Sequence, residues 1–275
     1  MDIPANTINH SLRRPVQLDG PAKMTPEWAW GGSTGKGVKV AVVDSGIDND
    51  HPAIIGGVSG WVTVEVDEQG NPVYRENRHA DRAGHGTACG GIIKSMAPDV
   101  ELFSVQVLGE QGHGTGDHFV GGIRWALDHG MDIVNMSLGT TRAKYFGMLH
   151  DLADEAYFKG AVLVVAASNR PVMSFPALYA SLIGVAAIPE DDPFRFYYNL
   201  TPPSEFLAAG IDVRVAQPGG RYATVTGNSF ACPRISAICA LIRSKHPGLD
   251  TPQLKVILRE LSTPKIKRNP AIGYD

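Results

Sequence analysis

Cysteine is scarce in this chain: Cys89, Cys232 and Cys239 among 275 residues. An odd count without paired metal spacing excludes a disulfide framework and a zinc centre as the source of stability. Cys232 and Cys239 fall two turns apart on one expected helix, too far to bridge each other, and read as small buried apolar residues. No apolar run has the length a membrane crossing needs. Met1-Asp2-Ile3-Pro4 lacks the basic and apolar regions of a secretory signal. Basic residues are scattered, Ile266-Lys267-Arg268 is too short for a basic tail, and the net charge is −3. Nucleic acid and membrane are therefore not expected partners. Repeats, low-complexity tracts and domain linkers are also missing.

What is present is an apolar fraction of 43% with 19% charged residues. One α/β domain of this size buries a sufficient core without cross-links. Residues 1–275 are read as that single domain, with 1–35 a Pro-, Gly- and Asn-rich extended arm carrying a helical piece at Pro26–Trp30. Strands are expected at Val38–Val43, Glu101–Val107, Asp132–Asn135, Ala161–Ala166 and Leu182–Ala187. Helices are expected at His85–Lys94, Asp117–Asp128, Met148–Lys159, Ser229–Lys245 and Pro252–Glu260, and a hairpin or surface loop within 56–84. Strands alternating with helices imply a doubly wound, mostly parallel sheet with helices on both faces. Such sheets gather functional groups at the carboxyl ends of strands. Asp44, Ser137-Leu138-Gly139 and Ala167-Ser168-Asn169 all fall at such ends.

Three segments carry chemistry. Val40–Val43 runs into Asp44-Ser45-Gly46; Gly84-His85-Gly86-Thr87 opens a helix; Gly227-Asn228-Ser229-Phe230-Ala231-Cys232-Pro233 opens another. A hydroxyl nucleophile needs a base in hydrogen-bond reach, and the base needs a third group to fix its tautomer. Ser229, His85 and Asp44 supply those parts. The plain alternatives are that Ser229 is only a helix cap and that His85 is one of nine histidines; Asp48 and Asp50 compete with Asp44 but fall past the strand end, in a turn. Only His85 is framed by two glycines at a helix start.

In order and spacing, from about Gly35 to Lys267, these motifs resemble the subtilisin-like serine proteases, the subtilases. The resemblance implies a subtilisin-like fold and a serine endopeptidase acting through Asp44, His85 and Ser229. Asn169 and the Ser229 N–H would stabilise the oxyanion. It further implies that substrate lies as an added strand between Gly112-His113-Gly114 and Ser137-Leu138-Gly139. Ala166, Ala167, Ser168 and Ser174-Phe175-Pro176 would line the pocket for the residue before the cleaved bond. Cys89, one turn after His85, resembles the thiol-dependent branch of the family, where mercurials inhibit without the thiol taking part in catalysis.

Several positions depart from the family pattern. Asn228 stands where threonine usually precedes the nucleophile, so the local hydrogen bonds must differ. The stretch from Asn169 to Phe175 is short, and Arg170 occupies a place often held by an acid. The helix after His85 runs on through Gly90-Gly91-Ile92-Ile93 without the family's calcium loop, and Ala53 replaces an acid of that site. No cofactor is expected and the main calcium site is expected to be absent. Glu190-Asp191-Asp192 reads as solvated surface. The expected partner is a peptide or protein, acted on by a monomer. A protease clipping a leader from one precursor, and a catalytically silent binding module, stand as alternatives. Location is expected to be cytoplasmic if Met1 is the natural start, and secreted if the chain is a trimmed form.

Overall fold

The computed structural model describes residues 23–200 and 204–263. In chain order these hold α1 (Pro26–Trp30), β1 (Lys39–Asp44), β2 (Gly60–Val66), β3 (Pro72–Arg75), α2 (His85–Met96), β4 (Glu101–Gln106), α3 (Gly116–Asp128) and β5 (Ile133–Met136). Next come α4 (Phe146–Lys159), β6 (Val162–Ala166), β7 (Ile183–Ile188), β8 (Phe196–Tyr198), β9 (Phe206–Ala209), β10 (Val213–Gln217), β11 (Arg221–Val225), α5 (Asn228–Lys245) and α6 (Thr251–Leu261). The part of the expected arm before residue 23 lies outside the described residues.

Apolar runs without alternation need cover on both faces, and they become the central strands. β5 and β6 are buried along their whole length, and β1 in all but its first residue. The large sheet has the order β3-β2-β4-β1-β5-β6-β7-β9-β8. Pairing from β2 through β9 is parallel, and the edge strands β3 and β8 are antiparallel. One apolar core lies between the sheet and α2, α5 and α6; the other lies under α3 and α4. This is the doubly wound α/β fold with helices on both faces. The family resemblance therefore extends to the architecture.

β1 sits between β4 and β5. The chain reaches β4 on one side through β2, β3 and α2, then returns through α3 to β5 on the other. Crossovers that diverge around one strand leave a crevice at its carboxyl end. That crevice holds Asp44.

The region between β7 and α5 has no strand in the sequence reading, yet it contains β8 to β11. These strands have only three to five residues, and β11 is largely exposed. Strands this short are fixed by their partners and leave almost no periodic signal.

Candidate active site

The site grows from the end of β1. Asp44 is buried, and its carbonyl accepts the Val107 and Leu108 N–H groups at 2.8 and 3.1 Å, which fixes it against the end of β4. Both carboxylate oxygens lie 2.9 Å from His85 Nδ1, and one also accepts the Ser45 N–H at 2.8 Å. An ionised carboxylate only accepts, so the imidazole proton belongs on Nδ1 and Nε2 is left with its lone pair. The Asp44 charge raises the His85 pKa above its ordinary value; burial opposes this, and Asp81 adds to it.

The glycines beside His85 have separate roles. Gly84 has φ +83°, a left-handed conformation that favours glycine. A Cβ on Gly86 would fall 2.1 Å from the Gly46 carbonyl oxygen and 3.2 Å from Asp44 Cβ. The helix can press on the Asp44 turn only because Gly86 carries no side chain. Asp48 and Asp50 do not compete for His85. Asp50 is exposed and paired to Arg78 at 2.5 Å, while Asp48 accepts the Asp50 and Gly219 N–H groups.

The sequence reading missed Asp81. Its carboxylate accepts from the Ser45 hydroxyl (2.7 Å), the Ala83, Gly84 and Thr87 N–H groups (3.0, 2.8 and 2.8 Å) and the Thr87 hydroxyl (2.5 Å). Gly84 offers no side-chain cap, so Asp81 supplies the anion that the open N–H groups at a helix start attract. An acid within one turn of an uncapped start is the signal that identifies it.

Ser229 is the second residue of α5, with Gly227 at the cap, so it is not itself the cap. Its N–H belongs to the first turn, where no acceptor lies one turn back. Its hydroxyl donates to the Ser137 carbonyl at 3.1 Å rather than to His85. The Ser137 hydroxyl donates in return to the Ser229 carbonyl at 2.9 Å. That carbonyl is free because Pro233, four residues on, has no N–H to give it. The Cys89 thiol lies 3.5 Å from the same carbonyl. Behind Ser137, Asn135 donates to its hydroxyl at 3.2 Å and itself accepts from Ser236 at 2.9 Å. The nucleophile candidate is thus seated on a buried polar chain in which each member has a partner. Burial holds the Cys89 thiol far above its ordinary pKa, so it is neutral there. Its sulfur, His85 and Asp44 offer ligand atoms within 4.8 Å of one another. All three cysteines are buried and free.

Asn169 follows β6 and is exposed. Its Oδ1 accepts the Asn228 N–H at 2.9 Å, which leaves Nδ2 as the free end of the amide. Four residues distant in sequence therefore meet where β1, β6, α2 and α5 converge. A model of the subtilase family matches residues 35–270.

The chain belongs to the subtilase family.

It is 32% identical to Subtilisin NAT of Bacillus subtilis subsp. natto over 84% of the chain and 62% of that protein. It thus spans less than two thirds of that relative's length. Identity to Subtilisin of Bacillus pumilus is also 32%, over 84% of this chain and 86% of the other. Among solved structures, Sphericase superposes with a TM-score of 0.69 at 26% identity, covering 88% of this subtilase and 86% of Sphericase.

The subtilase departures take definite form. Asn228 in place of threonine donates from Nδ2 to the Ala167 and Ser168 carbonyls at 3.1 and 3.0 Å, and accepts the Ala187 N–H at 2.8 Å. α2 runs without interruption from His85 to Met96 and contains no carboxylate, so its residues do not fit a calcium loop. In the Glu190 loop the carboxylate is used by the Asp191 and Asp192 N–H groups, Tyr197 and Arg195. Among the described residues no helix is long and apolar enough to cross a membrane.

The expected substrate segments flank the cleft. Gly112 ends a 3-10 turn at Glu110–Gly112, and the His113 carbonyl accepts the Gly109 N–H at 2.8 Å. A side chain at Gly114 would meet the Val107 carbonyl at 2.5 Å. His113 and Gly114 border a recess of about 450 Å³ shared with Arg82, Glu65 and His118. Ser137, Leu138 and Gly139 follow β5, and Thr140 pairs with Phe175 in an antiparallel bridge. That bridge brings the Ser174 hydroxyl against Gly139, where a Cβ would lie 2.5 Å from it. Ala167 and Ser168 are tied to Asn228, and the Ser168 hydroxyl accepts the exposed Arg170's N–H at 3.1 Å.

Proposed function

We propose that this protein is a serine endopeptidase. The observation that carries the reading is the Asp44 carboxylate closed on His85 Nδ1 at 2.9 Å beside the start of α5. In the working cycle Ser229 Oγ leaves the Ser137 carbonyl and turns its proton to His85 Nε2. Catalytic hydrogen bonds of this kind are often made only once substrate is bound. His85 takes the proton as Oγ attacks the peptide carbonyl, and Asp44 stabilises the imidazolium. The oxyanion is held by Asn169 Nδ2 and the Ser229 N–H, with the start of α5 favouring negative charge. Collapse breaks the C–N bond, and His85 gives its proton to the departing amine. Water, deprotonated by His85, then releases the acyl group from Ser229.

A specialised role, clipping one precursor, is the narrower form of this proposal. Its support is the short segment after Asn169, which closes on Thr140 and sets Ser174 against Gly139. Cleavage profiling on a peptide library separates narrow from broad use. The test of the main reading is a fluorophosphonate probe. It should label the wild type and not Ser229→Ala. Equal labelling of both proteins, or peptide turnover unchanged by Ser229→Ala, would refute the mechanism, whereas a wild type with neither labelling nor turnover would leave the silent binding module as the better description.

A further inference from the structure

Asn228 uses its side chain unusually fully. Its two amide hydrogens go to the carbonyls of Ala167 and Ser168 at 3.1 and 3.0 Å, and its oxygen takes the Ala187 N–H at 2.8 Å. Its backbone N–H holds Asn169 Oδ1 at 2.9 Å. One residue therefore joins the start of α5 to the chain beyond β6 and to β7, across 41 to 61 positions of sequence. The partners also fix the orientation of the amide, since only NH₂ can face two carbonyls and only oxygen can face an N–H. Threonine, with one hydroxyl, can donate once.

The two carbonyls that Asn228 holds are those immediately before Asn169. The Asn169 amide, in turn, hangs from the Asn228 N–H. We propose that Asn228 is a positioning residue. Its side chain fixes the backbone from which Asn169 projects, and so aims Asn169 Nδ2 at the oxyanion of the proposed acyl-transfer reaction. The inference rests on that reading of Asn169. Asn228 touches no reacting atom; it acts through Asn169. A donor for a transition-state charge is effective only when its place is fixed beforehand.

The test uses Asn228→Asp, which keeps size and the acceptor for Ala187 but replaces both donors with carboxylate oxygen facing two carbonyls. Turnover and KM are measured on a chromogenic peptide in four proteins: wild type, Asn228→Asp, Asn169→Ala and the double variant. Asn169→Ala should lower kcat about 10²–10³-fold, a magnitude known from subtilisin. Asn228→Asp should lower kcat about 10–10²-fold with little change in KM, and should lower it less than about threefold when Asn169 is already alanine. Asn228→Thr, which keeps one donor, should recover part of the loss, and it replaces Asn228→Asp in the cycle if the carboxylate prevents folding. Equal losses in both backgrounds, or a loss confined to KM, would overturn the positioning role while leaving the oxyanion role of Asn169 intact. An Asn169→Ala protein with unchanged kcat would sink both together. Unchanged kcat in folded Asn228→Asp would end the proposal alone.

Discussion

Replacing Asp44 with asparagine keeps the shape of the site and removes its charge. In the wild type both carboxylate oxygens face His85 Nδ1 at 2.9 Å, and one of them also accepts the Ser45 N–H. An amide has only one oxygen. Held by the Ser45 N–H, that oxygen leaves NH₂ facing the imidazole, and a donor opposite Nδ1 drives the ring proton to Nε2. Nε2 is the atom that must accept from Ser229. The same replacement in the serine-protease triad costs about 10⁴ in turnover, or about 5 kcal/mol of transition-state stabilisation. The pH profile should change as well. Asp44 is the main cause of the raised His85 pKa, with burial acting against it. In the wild type the rate therefore climbs through a pKa above the ordinary value of about 6.5. In Asp44→Asn the acid limb should move to lower pH, because burial then outweighs what remains. The linkage to stability has the matching sign: the charged pair contributes fully below about pH 6.5 and fades as pH climbs through the raised pKa. The assay is kcat/KM on a chromogenic peptide from pH 5 to 10, with active-site titration to count competent enzyme. A loss below tenfold, or an acid limb that stays in place, would refute the argument.

Arg170, exposed beside the expected pocket, should favour an acidic residue before the scissile bond and disfavour lysine there; the effect is mild, since exposed pairs contribute only about 0–1 kcal/mol. Matched peptides with Glu, Gln and Lys at that position are compared in wild type and Arg170→Glu, and an unchanged ranking would show that Arg170 does not read substrate. Chelation should leave thermal stability nearly unchanged, because α2 offers no carboxylate where the family calcium loop would lie. A fall of more than about 5 °C in midpoint with EDTA would reveal a bound ion that contributes to the fold.

Much of this protein was legible in the sequence because its signals are local. Unbroken apolar runs marked β1 and β6, and those strands require helices on both faces. The glycines around His85 marked it out at a helix start, and the structure gives each its reason in Gly84's φ and the Gly46 carbonyl. The order of Asp44, His85 and Ser229 carried the family resemblance. What the tertiary structure alone decided is which groups meet across long separations. It set the Asp81 carboxylate against the Ser45 hydroxyl, and turned the Ser229 hydroxyl to Ser137. It paired β8 to β11, whose few residues fit a sheet only once partners exist. It also joined Asn228 to Ala167, Ser168 and Ala187. A side chain's type states how many hydrogen bonds it can make; the partners of His85, Asn228 and Ser229, 41 to 92 residues away, are set only when packing brings their backbones together.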